Sequence, residues 1–156
     1  MLSNNAQIIQ ELLISEGIRA TVVELAASTH TAEEAARAIG CTTAQIVKSL
    51  IFRTKKTKKP ILVLASGPNR VNERRLLTFL QEDLEKADAD FVRDVTGFAI
   101  GGVPPIGHPR PIPTFIDVDL MQYPELWAAA GTPHAVFKLT PTQLLELTKG
   151  QVVAIK

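Results

Sequence analysis

A chain of 156 residues that is 46% hydrophobic and 21% charged has the size and composition of one folded domain, which excludes a disordered polyelectrolyte. The formal net charge of +1 identifies no partner by itself, and a single cysteine, Cys41, excludes an intrachain disulfide. Met1 to Gln10 lacks a basic leader, and the longest apolar runs, such as Ile61 to Ala65, are too short to cross a bilayer, so the expected location is the cytoplasm, away from membranes.

Gln7, Ile8, Ile9, Leu12, Leu13 and Ile14 recur at helical spacing, and Gly17 closes the pattern. Thr21 to Leu25 is a short predicted strand. Thr31 to Gly40 is a predicted helix. Thr31 and Glu34 stand at capping-box spacing, Ala35, Ala36 and Ile39 form the buried stripe, and Gly40 suits the C-terminal cap. Cys41 follows that cap and is read as structural.

Gln45 to Phe52 and Pro60 to Ala65 are apolar runs joined by the charged stretch Arg53 to Lys59, the pattern of an antiparallel hairpin. Asn72 to Leu80 is a second amphipathic helix with Asn72 as its N-cap. Charge is unevenly spread here. Lys48 to Arg75 holds nine Lys and Arg against Glu73, and Leu76 to Asp94 holds six acids against Lys86 and Arg93. Two readings fit: a tip at Lys55, Lys56, Lys58 and Lys59 that attracts a polyanion, or a solvated hairpin beside an acidic helix.

Thr96 to Pro109 contains four Gly and three Pro in fourteen residues, which excludes regular helix and central strand. Its apolar residues predict a packed, ordered loop. Ile112 to Val118 is a strand, a turn or short helix runs through Tyr123-Pro124, and Trp127 to Ala130 pairs with Ala135 to Leu139 around Gly131-Thr132-Pro133. Pro141 to Leu147 is a final helix with Thr140 as N-cap and Pro141 at its first position, and Gln151 to Ile155 is a last strand. The order predicts a single compact α/β domain, residues 1–156, with a mixed, curved β-sheet and surrounding helices.

Two features could carry chemistry. Lys48 lies inside the apolar run Ile46 to Ile51, where an ammonium either meets an anion or cavity or occupies the solvent face. The Gly101-Gly102 pair lets backbone N–H groups approach a ligand, with Pro104 and Pro105 directing the chain, or it is only a bend between helix and strand. His30 precedes a helix cap and is read as a surface residue. His108 and His134 stand near candidate loops. The three histidines and one cysteine are too scattered for a structural zinc site.

Several segments occur together in one order: Thr31-Ala-Glu-Glu-Ala-Ala36, Gln45-Ile-Val-Lys-Ser-Leu50, Thr96-Gly-Phe98, Gly101-Gly-Val-Pro-Pro-Ile-Gly107, Ile116-Asp117 and Ala130-Gly131. This set, spanning about Thr31 to Leu147, resembles the YbaK/prolyl-tRNA synthetase-associated editing domain family. The resemblance implies hydrolysis of the ester that joins a wrong amino acid to a tRNA 3′ end, without cofactor or metal. It implies that Lys48 holds the terminal adenosine or its phosphate. Gly101 and Pro105 are implied to position the ester and the attacking water. Gly102, Gly131, Thr132, His134 and Asp117 are implied to bind substrate. Implied partners are the aminoacylated tRNA 3′ end and prolyl-tRNA synthetase or other translation components. With no synthetase modules in the sequence, the expected form is free-standing. A non-catalytic tRNA- or nucleotide-binding module and a regulatory protein with a degenerate pocket are the alternative readings. The rejected amino acid stays open among Ala, Cys, Ser and Thr, because selection among small side chains turns on ~1–3 kcal/mol.

Overall fold

The computed structural model describes residues 2–156. The chain begins with helix α1, Asn4–Ser15, which buries Ala6, Ile9 and Leu13 at helical spacing. Strand β1, Val22–Glu24, follows. Helix α2, Ala32–Ile39, starts where the Thr31 hydroxyl accepts the Glu34 N–H (3.1 Å) and ends at Gly40, whose φ of +88° is open to glycine. Only half of the expected capping box forms: among the described residues the Thr31 N–H makes no hydrogen bond to the Glu34 side chain, one carboxylate oxygen of which is buried without a partner.

Strands β2, Ile46–Thr54, and β3, Pro60–Ser66, are the predicted antiparallel hairpin, with Lys48 opposite Ala65 and Phe52 opposite Ile61. β3 is buried on both faces, which accounts for its unbroken apolar run. Leu62 and Leu64 enter the main core with α1, while Ile61, Val63 and Ala65 pack with Leu76 and Phe115 on the other face.

Helix α3, Glu73–Leu80, is capped by the Asn72 side chain. Strand β4, Leu84–Lys86, had no counterpart among the predicted elements. It pairs with the end of β2, and helix α4, Ala89–Thr96, follows it. The acidic stretch is therefore a turn, a strand and a helix. The Gly/Pro segment then leads to β5, Thr114–Asp117. Strands β6, Leu126–Ala129, and β7, Ala135–Leu139, pair antiparallel as expected. Helix α5, Pro141–Thr148, carries a complete capping box between Thr140 and Gln143, and β8, Gln151–Val153, ends the sheet.

The sheet is mixed, in the order β1-β7-β6-β2-β3-β5-β8, with β4 on the same edge of β2 as β6. The two neighbours on that edge do not meet. β6 pairs only with Ile46 and Val47, and β4 only with Phe52 to Thr54. No strand opposes Lys48 to Ile51 there. The N–H groups of Ser66 and Leu62 turn away from β2, to Asp117 and to the Pro113 carbonyl. Across the antiparallel ladder, Val47 and Ile51, and Ser49 between them, must turn their own peptide groups away from β3. The Ser49 peptide therefore faces the gap. No helix in the described chain is long and apolar enough to cross a membrane.

Candidate active site

The gap beside β2 opens into a two-lobed cleft. The smaller lobe, about 300 Å³, is walled by Ile46, Trp127, Ala128, Ala129 and Val136, with Thr29, His30 and Gly101 at its rim. The larger, about 610 Å³, lies toward Phe52, Asn69, Arg70, Lys86 and Val92. Lys48, Ser49, Leu50, Ile100 and Val103 line both. Both volumes are of the size of small-molecule sites.

Lys48 sits at the junction of the lobes. Its face of β2 carries Ile46 under α2 and Phe52 under α3, which belong to separate apolar clusters. The ammonium donates to the Asn69 carbonyl at 2.7 Å, so it is not turned to bulk solvent. Burial pushes the amine below its ordinary value and Arg70 adds to this, while Glu33 and Asp117 oppose it. One hydrogen bond leaves two of its three N–H groups for a ligand.

Gly101 is the third residue of a β-turn closed by the Gly102 N–H on the Ala99 carbonyl (3.0 Å), and its φ is +93°. A Cβ there would collide with the His30 imidazole. The turn thus presses Gly101 against His30 at the cleft rim. The Gly102 N–H is engaged within the turn and is not free for a ligand. Gly102 itself is buried, and a Cβ on it would lie 2.9 Å from the Thr132 backbone. Gly131, φ +94°, sits in turn against Asn5 and Phe98. Gly131 and Thr132 back the loop from behind and do not line the cleft.

The remaining expected site residues are elsewhere. Pro105 is buried and borders a separate cavity of about 470 Å³ with Glu16, His108, Arg110 and Lys149. The loop lines the cleft at Gly101 and Val103, and Pro105 to Gly107 border the other cavity. His134 is exposed, with its Nδ1 3.2 Å from the Ala27 carbonyl. Asp117 is 1% exposed and lies behind the turn that carries Asn69. Thus Lys48 and Gly101 share the cleft, while Gly102, Pro105, Asp117, Gly131, Thr132 and His134 do not line it.

Sequence reasoning missed His30, Thr29, Ser49, Asn69 and Arg70. The hydroxyls of Thr29 and Ser49 are buried at the cleft without hydrogen-bond partners, although such groups are ordinarily paired. Ser49 had a usable signal, as the polar neighbour of Lys48 in an apolar strand. His30 had none, since its contact with Gly101 spans seventy-one positions of chain. Among the described residues, no three His, Cys, Asp or Glu side chains gather as metal ligands.

The basic hairpin tip is partly neutralised. Glu82 accepts the Lys56 and Thr57 N–H groups, which hold its carboxyl below the usual range. Glu85 pairs with Arg53 and with Lys58 (3.3 Å). The acidic segment folds onto the tip, so the two charge blocks are one surface.

Residues 26–147 match the model of the aminoacyl-tRNA editing domain. A solved structure described as a candidate trans-editing enzyme for prolyl-tRNA synthetase superposes with TM-score 0.93 at 48% identity, covering 100% of this chain and 99% of that one. The chain is 32% identical over 121 residues to a proline–tRNA ligase of Thermoanaerobacter sp., covering 76% of this chain and only 20% of the ligase. It is 27% identical over 125 residues to EbsC of Enterococcus faecalis, named as a candidate Cys-tRNA(Pro)/Cys-tRNA(Cys) deacylase, covering 80% of this chain and 76% of that one. The match to the family model across most of the chain, on a fold shared almost end to end with a solved relative, means that this protein belongs to the YbaK-type aminoacyl-tRNA editing domain family.

Proposed function

We propose that this protein is a deacylase that hydrolyses the ester of mischarged aminoacyl-tRNA, acting on tRNA-Pro that carries a small wrong amino acid. The observation that carries this reading is the meeting of Lys48 and the Gly101 turn on one cleft at the open edge of β2. The substrate class is supported by the family and by the names of the relatives.

The smaller lobe, walled by Ala128, Ala129, Ile46 and Val136, suits a short side chain. The larger lobe combines apolar Leu50, Val71 and Val92 with Arg70 and Lys86, which suits the terminal nucleoside and its phosphate. The ester then lies at the junction, beside Lys48 and Ser49. An aminoacyl ester is already activated. Placing it against an ammonium and strand-edge N–H groups lowers the barrier without a covalent nucleophile. Water adds to the carbonyl, the C–O bond to the ribose breaks, and the products are the free amino acid and tRNA with its terminal hydroxyl restored. Such a reaction belongs in the cytoplasm with the synthetases.

The test is incubation with a panel of mischarged tRNAs, scored for free amino acid. Release from at least one Pro-accepting tRNA bearing Ala, Cys, Ser or Thr is expected. Tight binding with the ester protected would replace the reading with a binding module.

A further inference from the structure

Asp117 closes β5 with its carboxylate almost wholly buried, at 1% exposure. A buried carboxylate is costly unless donors surround it. Three do. One oxygen accepts the Ser66 N–H (3.0 Å) and the Asn69 side-chain amide (2.8 Å), and the other accepts the Asp119 N–H (2.9 Å). The first two donors are the ends of one turn, closed by the Asn69 N–H on the Ser66 carbonyl at 2.9 Å. The Asn69 amide also donates to Asp119 (2.8 Å), which pairs with Lys156 at 3.1 Å. The other side of the turn is held too. The Ser66 hydroxyl donates to the Ala44 carbonyl (2.6 Å), and a Cβ on Gly67 would collide with the Thr43 carbonyl.

The turn borders the cleft at Gly67 and Asn69, and the Asn69 carbonyl accepts the Lys48 ammonium. We infer that Asp117 is a positioning residue for Lys48, acting through the Ser66–Asn69 turn and making no contact with substrate. The turn leaves β3 at Ser66, where the sheet and Ala44 hold it, and its far end, Asn69, is tethered by the buried carboxylate, which sets where the Asn69 carbonyl stands. A displacement of that carbonyl moves the ammonium at the junction of the two lobes. The kinetic part of this inference rests on the proposed deacylation; the geometric part does not.

Four proteins decide it: wild type, Asp117→Asn, Lys48→Ala and the double variant. Each is assayed for kcat and KM on the best mischarged tRNA and for thermal stability. Asp117→Asn sets an amide donor against at least one of the Ser66, Asn69 and Asp119 donors and is expected to lower kcat by about 10- to 100-fold, the scale of a misplaced catalytic group. In the Lys48→Ala background the same change is expected to lower kcat no further, although the loss of stability is the same in both backgrounds. Equal fold-losses in both backgrounds would mean that Asp117 is a structural brace only, and would overturn the inference. Asn69→Ala, which keeps the carbonyl and removes the tether, repeats the cycle if Asp117→Asn does not fold. The ¹³Cε and ¹⁵Nζ resonances of Lys48 supply a readout independent of turnover. In wild type they are those of an immobilised ammonium, and in Asp117→Asn or Asn69→Ala they move toward those of the exposed lysines. Unmoved resonances would overturn the inference even if no tRNA is deacylated, and a panel that yields no free amino acid would count against the proposed function alone.

Discussion

The imidazole of His30 occupies the space that a side chain at residue 101 would need, so the two loops at the cleft rim are in contact through a missing Cβ. Gly101→Ala meets two obstacles. The φ of +93° is strained for any L side chain, by about 1–3 kcal/mol, and the imidazole must also move. Gly101→Ala is expected to lose stability by at least that amount and to impair turnover. The double variant His30→Ala/Gly101→Ala should regain part of the stability, leaving only the backbone strain. Denaturant titration of the three variants measures this, and a double variant no more stable than Gly101→Ala would remove the steric explanation.

Lys48→Met separates the charge from the stem. The ammonium is half-buried against one carbonyl, and losing that bond costs about 1 kcal/mol while removing a desolvated charge. Stability should change by no more than about 1 kcal/mol. Deacylation should fall by about 100-fold or more if the ammonium places the ester. A stable Lys48→Met protein with wild-type kcat/KM would end that assignment.

Ser49→Ala removes a buried hydroxyl that has no partner in the free protein. Folding should therefore be unaffected or slightly favoured, which is unusual for deletion of a buried polar group. Substrate should lose a hydrogen bond worth about 1 kcal/mol, raising KM roughly five- to tenfold. Parallel melting and kinetic measurements test both halves. Lower stability with unchanged KM would show that the hydroxyl serves the fold.

His108 makes stability depend on pH. Its Nε2 lies 2.8 Å from the Pro104 carbonyl, and burial pushes the imidazole below its ordinary 6.5 despite that bond. Between the folded value and 6.5 the unfolded chain takes up a proton that the folded chain refuses. This contribution is complete above 6.5 and is lost as pH falls through the folded value. The depressed carboxyls of Glu82, Glu85 and Asp119, ordinarily at 4.5, 4.5 and 3.8, lose their contribution in a separate, more acidic window. Urea titrations from neutral to mildly acidic pH should show the first loss, and His108→Gln should flatten it. An unchanged slope in that variant would assign the effect to another group.

What was legible in the sequence follows the range of each interaction. Helix α2 was marked at both ends by Thr31 and Gly40, and α5 by Thr140 and Pro141, because caps act within three or four residues. The β2–β3 hairpin was legible from its two apolar runs. Strand β4 was not, since its three residues bury only Leu84 and take their place from pairing such as that of Glu85 with Arg53, thirty-two positions away. The Gly/Pro composition excluded helix and strand between Thr96 and Pro109, but not which half of the loop meets Lys48. The loop passes from the cleft to the other cavity between Val103 and Pro105, a tertiary matter. Asp117 was legible as part of a motif, and its role was not, because Asn69 reaches it, and Lys48 reaches Asn69, from other elements.

The interrupted edge of β2 also bears on how the molecule behaves in a crowded solution. Unpaired strand edges invite pairing with a second chain and can seed aggregation. Here the uncovered length is four residues, Lys48 to Ile51, or about 13 Å at strand rise. β6 and β4 flank it at either end, and the 100–103 loop stands beside it. That length is too short and too enclosed to template an invading strand. The same interruption that opens the cleft thus denies other polypeptides a continuous edge on which to grow.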